Sequence, residues 1–108
     1  MLRAFDIAVG VVAELRPVMQ RLEQVDSDLA RQLRRAMNGV ALNIAEGSHA
    51  RGKRRALHYT LAMGSGREAL AALVTARAWG HLPEVPDRID DGLRHVIAIL
   101  YKNVGSYR

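Results

Sequence analysis

The chain has no cysteine. That excludes disulfides, thiolate nucleophiles and cysteine-ligated zinc, and it fits a reducing compartment. One Phe, one Trp and three Tyr in 108 residues leave the interior to Leu, Val, Ile, Met and Ala, a set that packs well as helices and poorly as sheets. No apolar run approaches the roughly 18 residues of a membrane span. Asp6 follows Arg3 closely and no small-residue cleavage site comes after, so no export signal is read. The expectation is one soluble, cytoplasmic domain spanning 1–108, without a membrane partner.

What is present reads as an all-α chain, an up-and-down antiparallel four-helix bundle with helices near 3–23, 27–46, 53–79 and 87–103. In the first helix Phe5, Ala8, Val12, Leu15, Met19 and Leu22 recur at steps of three and four and are expected inward. Ala4, Ile7, Val11 and Val18 form a second row, wide enough to predict cover by another subunit. Pro17 predicts a kink, or a restart at Arg16. Asp26 or Ser27 can cap the second helix, whose apolar positions are Leu29, Leu33, Ala36, Met37, Val40, Ala41, Ile44 and Ala45, with Gly47 as a left-handed stop. In the third helix Leu57, Leu61, Leu70, Leu73 and Val74 are expected inward. Gly64 and Gly66 each cost about 1 kcal/mol there, which predicts a close helix approach over Gly64, Ser65, Ala69 and Ala72. Pro83 and Pro86 break the chain before a fourth helix carrying Ile89, Leu93, Val96, Ile97, Leu100 and Tyr101.

Charge is unevenly spread. From Gly47 to Arg67 there is no Asp or Glu, while Arg51, Lys53, Arg54, Arg55 and Arg67 supply charge equal to the whole formal net value of +5. Glu23, Asp26, Asp28, Glu84, Asp87, Asp90 and Asp91 crowd the other two loops, so the molecule is expected to be electrically polar along its axis. Asp87, Asp90 and Asp91 complement the start of a helix, which explains them fully. Arg54 and Arg55 oppose the dipole of theirs, and a helix start ringed by cations suits phosphate. Arg51, Lys53, Arg54 and Arg55 are therefore the candidate nucleic-acid-binding residues, against the plainer reading of a solvated basic loop.

Catalysis finds little support. Gly47 to Arg54 follows the phosphate-loop pattern until Arg54 replaces the required hydroxyl, and a helix precedes it where a strand is needed. His49, His58, His81 and His95 lack the spacing of helical metal pairs. Glu46 and Glu68 are the carboxylates available for acid/base work. Folding the hairpin places Glu68 near Arg31 and Arg35 as a structural ion pair, and Asn43 reads as a hydrogen-bonded tie between helices. The expectation is a non-enzyme without cofactor or metal.

Gln32-Leu33-Arg34-Arg35-Ala36, Asn43-Ile44-Ala45-Glu46-Gly47, Ala62-Met63-Gly64-Ser65 with Glu68, and Ala78-Trp79-Gly80 together resemble the four-helix bundle proteins first associated with 23S rRNA intervening sequences. The resemblance covers nearly the whole chain, the outer two helices by pattern only. It implies a bundle, often a homopentamer, without established enzymatic activity. Relatives include the accessory variability determinant proteins of diversity-generating retroelements, which bind nucleic acid and a reverse transcriptase. By position, Asn43, Glu46, Gly47, Gly64, Ser65 and Glu68 correspond to the motif and are expected to be architectural. The basic residues rest on the charge argument alone. Two functions follow: a non-catalytic oligomer binding RNA or DNA through the basic elbow, or a scaffold for a protein such as a reverse transcriptase.

Overall fold

The computed structural model describes residues 2–105; Met1, at the head of the segment read for an export signal, lies outside them. The described chain is all-helical: α1 (Arg3–Val25), α2 (Ser27–Ser48), α3 (Gly52–Ala78) and α4 (Asp87–Val104), with a 3-10 turn at Gly105. No described helix is long and apolar enough to cross a membrane. The expected bounds hold within two residues. At about 1.5 Å per residue, the 27-residue α3 accounts for most of the 42 Å long axis.

Each helix packs on two others, α1 on α2 and α4, α3 on α2 and α4. One half of the core joins Val11, Leu15 and Leu22 of α1 with Leu29 and Leu33 of α2, Leu73 of α3 and Ile89 and Leu93 of α4. The other joins Ala4 and Ala8 with Val40 and Ile44, Tyr59 and Met63, and Val96 and Leu100. The start of α1 thus meets the ends of α2 and α4, so sequential helices run antiparallel. At one end of the molecule sits the 49–51 elbow. At the other the remaining two connections touch, where His81 Nε2 lies 3.2 Å from Asp26 Oδ2 and Arg21 donates to the His81 carbonyl. Asp26 also caps α2, accepting from the Leu29 N–H at 3.0 Å.

Several expectations are corrected. α1 runs unbroken through Pro17 without restarting. The carbonyl of Ala13, which Pro17 leaves without its helical donor, is on an exposed turn where water can serve. The inward face of α1 is rotated: Ala4, Val11 and Val18 are buried, whereas Val12 is exposed and Phe5 and Met19 are half-buried. The second apolar row is therefore largely core, not surplus surface for a partner.

The same rotation is larger in α3. Ala56, Tyr59, Ala62, Met63, Gly66, Ala69, Ala72, Leu73 and Ala76 face inward, and Leu57, Leu61 and Val74 face out at 56, 48 and 58% exposure. Small inward side chains let the backbones close up. A methyl at Gly66 would sit 3.1 Å from Ile97 Cγ1 of α4, and one at Gly39 of α2 would sit 3.1 Å from Ser65 Cβ of α3. Gly64, expected in that contact, has nothing within 4 Å. Gly47 does not stop α2 in a left-handed turn. It is helical and buried against the Tyr59 ring, and α2 continues to Ser48. Glycines with positive φ are Gly52 (φ +56°), opening α3, Gly80 (φ +77°), just past its end, and Gly105 (φ +57°), after α4. Tyr101, one of the apolar positions of α4, is 48% exposed.

Candidate nucleic-acid interface

The elbow is built by two helix ends with opposite needs. α2 ends without a basic residue in its last turn, and its final carbonyls form a negative pole. α3 begins after Arg51, extended and without a side-chain cap, and carries no acid in its first turn. The other three helices each have an acid there: Asp6, Asp28, and Asp87 with Asp90.

Arg55 links the two ends. Its Nε donates to the Gly47 carbonyl at 3.0 Å and its Nη2 to the Ser48 carbonyl at 3.3 Å. A cation that looks misplaced at the start of α3 thus serves the end of α2. This separates the four candidates. Arg55 is held by the fold, while Arg51, Lys53 and Arg54 are exposed and enter no ion pair or side-chain hydrogen bond among the described residues. Four acids elsewhere are paired with arginines: Asp28 with Arg31, Glu23 with Arg34, Asp90 with Arg77 and Glu14 with Arg88. None of these pairs reaches the elbow.

Behind the elbow, Asn43 ties the hairpin together as expected. Its Nδ2 donates to the Gly39 carbonyl at 3.0 Å, and its Oδ1 accepts from His58 Nδ1 at 3.1 Å. Ser65 fills the space left by Gly39, and Gly47 admits the Tyr59 ring. These motif positions hold α2 against α3. Glu46, Glu68 and Gly64 do not: all three are exposed, and neither glutamate has an ion-pair partner among the described residues. The expected pairing of Glu68 with Arg31 or Arg35 is absent: Glu68 is exposed, and Arg31 is held by Asp28 at 2.6 Å.

The histidines are dispersed. His58 serves Asn43, His81 serves Asp26, and His95 is bonded to Arg3. No group of three metal-ligating side chains occurs among the described residues.

One feature escaped the sequence reading. Between α3 and α4, beside the elbow, lies a shallow groove of about 390 Å³ lined by Lys53, Leu57, Thr60, Met63, Arg67 and Tyr101, with no carboxylate among the described residues of its walls. The spacing carries a signal for it: 53, 57, 60 and 67 fall on one face of a helix. Tyr101, from α4, forms the far wall.

No family model matches this chain, and neither a curated protein nor a solved structure matches it.

Proposed function

We propose that the chain is an up-and-down four-helix bundle that assembles into a non-catalytic, cytoplasmic oligomer and binds nucleic acid through the elbow between α2 and α3. The observation that carries this reading is the cation set Arg51, Lys53 and Arg54, which has no ion-pair partner among the described residues, at a helix start that lacks an acid. Such a cluster holds phosphates without reading bases, and its affinity is dominated by counterion release. Repeating it around an oligomer strengthens individually weak contacts.

Assembly is supported by exposed apolar surface where α2 meets α3. The Gly39–Ser65 and Asn43–His58 contacts bring Leu42 level with Leu61, and Leu42 is 65% exposed. Five subunits is the number that the resemblance to the rRNA intervening-sequence proteins implies. The elbow reading is tested by titrating single-stranded and duplex RNA and DNA at two salt concentrations. Binding at low salt that is lost in Arg51→Ala/Lys53→Ala/Arg54→Ala supports it, and no binding at low salt sinks it.

The exposed leucines also favour a second reading, a scaffold for a protein partner such as a reverse transcriptase, with no direct nucleic-acid role. Capture of one protein that survives nuclease treatment, together with no binding of nucleic acid by the pure chain, would favour it.

A further inference from the structure

We infer that the α3/α4 groove is a binding site for single-stranded nucleic acid, with Tyr101 as a stacking platform for a base and Lys53 and Arg67 as phosphate contacts; this deepens, and rests on, the elbow reading.

Three observations converge on single strands. First, the groove couples charge to an aromatic face. Lys53 and Arg67 stand on one wall, Tyr101 on the other, and no acidic side chain among the described residues lines the space. A base has a π-face that stacks on an aromatic ring whatever its identity, while a duplex keeps its bases stacked on one another and out of reach. Second, the length fits a strand. Lys53 and Arg67 are fourteen residues apart on α3, about 21 Å along the helix axis, a span for several nucleotides instead of one mononucleotide. Arg94, seven residues before Tyr101 and so on the same stripe of α4, is exposed and enters no ion pair among the described residues, extending the positive track. Third, the groove continues the elbow, since Lys53 belongs to both. A strand leaving Arg51 and Arg54 runs onto Lys53 and along α3 without crossing a carboxylate among the described residues of the groove wall.

The floor suits this occupant. Met63 is buried under the groove and Thr60 is exposed on its wall, giving an apolar surface beneath a base and a hydroxyl for a sugar or phosphate oxygen. Stacking uses the ring face of Tyr101, so the phenol oxygen is not required.

The experiment compares the full chain with Tyr101→Ala, Tyr101→Phe and Arg51→Ala/Arg54→Ala. Probes are a 12-nucleotide oligo-dT, the matching oligo-rU, an abasic strand of equal length and a duplex, with folding checked by circular dichroism. Loss of one stacked base weakens binding about tenfold, so Tyr101→Ala is expected to bind oligo-dT or oligo-rU about that much less tightly. Tyr101→Phe should retain wild-type affinity, and abasic-strand and duplex binding should not change. The oligo-dT and oligo-rU arms tell DNA from RNA. If Tyr101→Ala binds every probe like wild type while Arg51→Ala/Arg54→Ala loses affinity, the groove inference is overturned and the elbow reading stands. If Tyr101→Ala weakens all probes equally, stacking is excluded. If wild type binds none of the probes, both fail.

Discussion

Arg55, in the first turn of α3, donates from Nε to the carbonyl of Gly47, in the last turn of α2, at 3.0 Å. The contact joins two helix ends that each lack a charge of the proper sign, and it gives Arg55 a role apart from its three basic neighbours.

Replacing Arg55 with Ala should lower stability by about 0.5–1 kcal/mol, through loss of a charge-assisted bond and a favourable dipole contact at a partly exposed site. Nucleic-acid affinity should fall little. Arg51→Ala should do the reverse, weakening binding while leaving stability within about 0.5 kcal/mol of wild type. Urea midpoints and binding titrations on the same two variants separate the roles.

Two glycines in similar helical settings should answer alanine with opposite signs. At Gly47 a methyl would overlap the ring of Tyr59, which is itself buried. Overpacking of about 1–3 kcal/mol should exceed the helix-propensity gain of about 1 kcal/mol. At Gly64 nothing lies within 4 Å, so Gly64→Ala should stabilise by about 0.5–1 kcal/mol. Chemical denaturation of both variants checks the pair; a stabilising Gly47→Ala would mean Tyr59 is not seated as described.

The Asn43–His58 bond should appear as coupling. A double-mutant cycle with Asn43→Ala and His58→Ala is expected to yield an interaction of about 1 kcal/mol, read from urea midpoints. Zero coupling would mean the two side chains contribute separately to the hairpin.

Leu61→Gln should leave the fold intact, since the side chain is half in solvent, and should reduce the oligomer to smaller species. Light scattering with circular dichroism reads both. An unchanged mass would move the subunit contact away from the α2/α3 seam, and a wild-type monomer at micromolar concentration would remove the oligomer altogether.

The all-helical class and the breaks after α1, α2 and α3 were legible because capping and breaking residues act locally. Asp26 does cap α2, and Gly80 does follow the end of α3. The orientation of α3 was not. Apolar residues surround that helix almost evenly, and weighting Leu over Ala chose the wrong side. The run Ala56, Tyr59, Ala62, Gly66, Ala69, Leu73 and Ala76 is as regular as the leucines, and close packing selects it because small residues let the α2 and α4 backbones approach. The candidate site was half legible. An acid-free run locates the elbow, but only geometry shows that Arg55 belongs to α2, since that depends on where the neighbouring helix ends. The α3/α4 groove required the antiparallel register that sets Tyr101 opposite Lys53 and Arg67.

The most direct test of the elbow as a phosphate contact is the dependence of single-strand affinity on salt. Each phosphate neutralised contributes about 0.7 to the slope of log K against log salt. Wild type should therefore show a slope steeper by about 2 than Arg51→Ala/Lys53→Ala/Arg54→Ala, with equal helical content in both. Equal slopes and equal affinities in the two proteins would contradict the account.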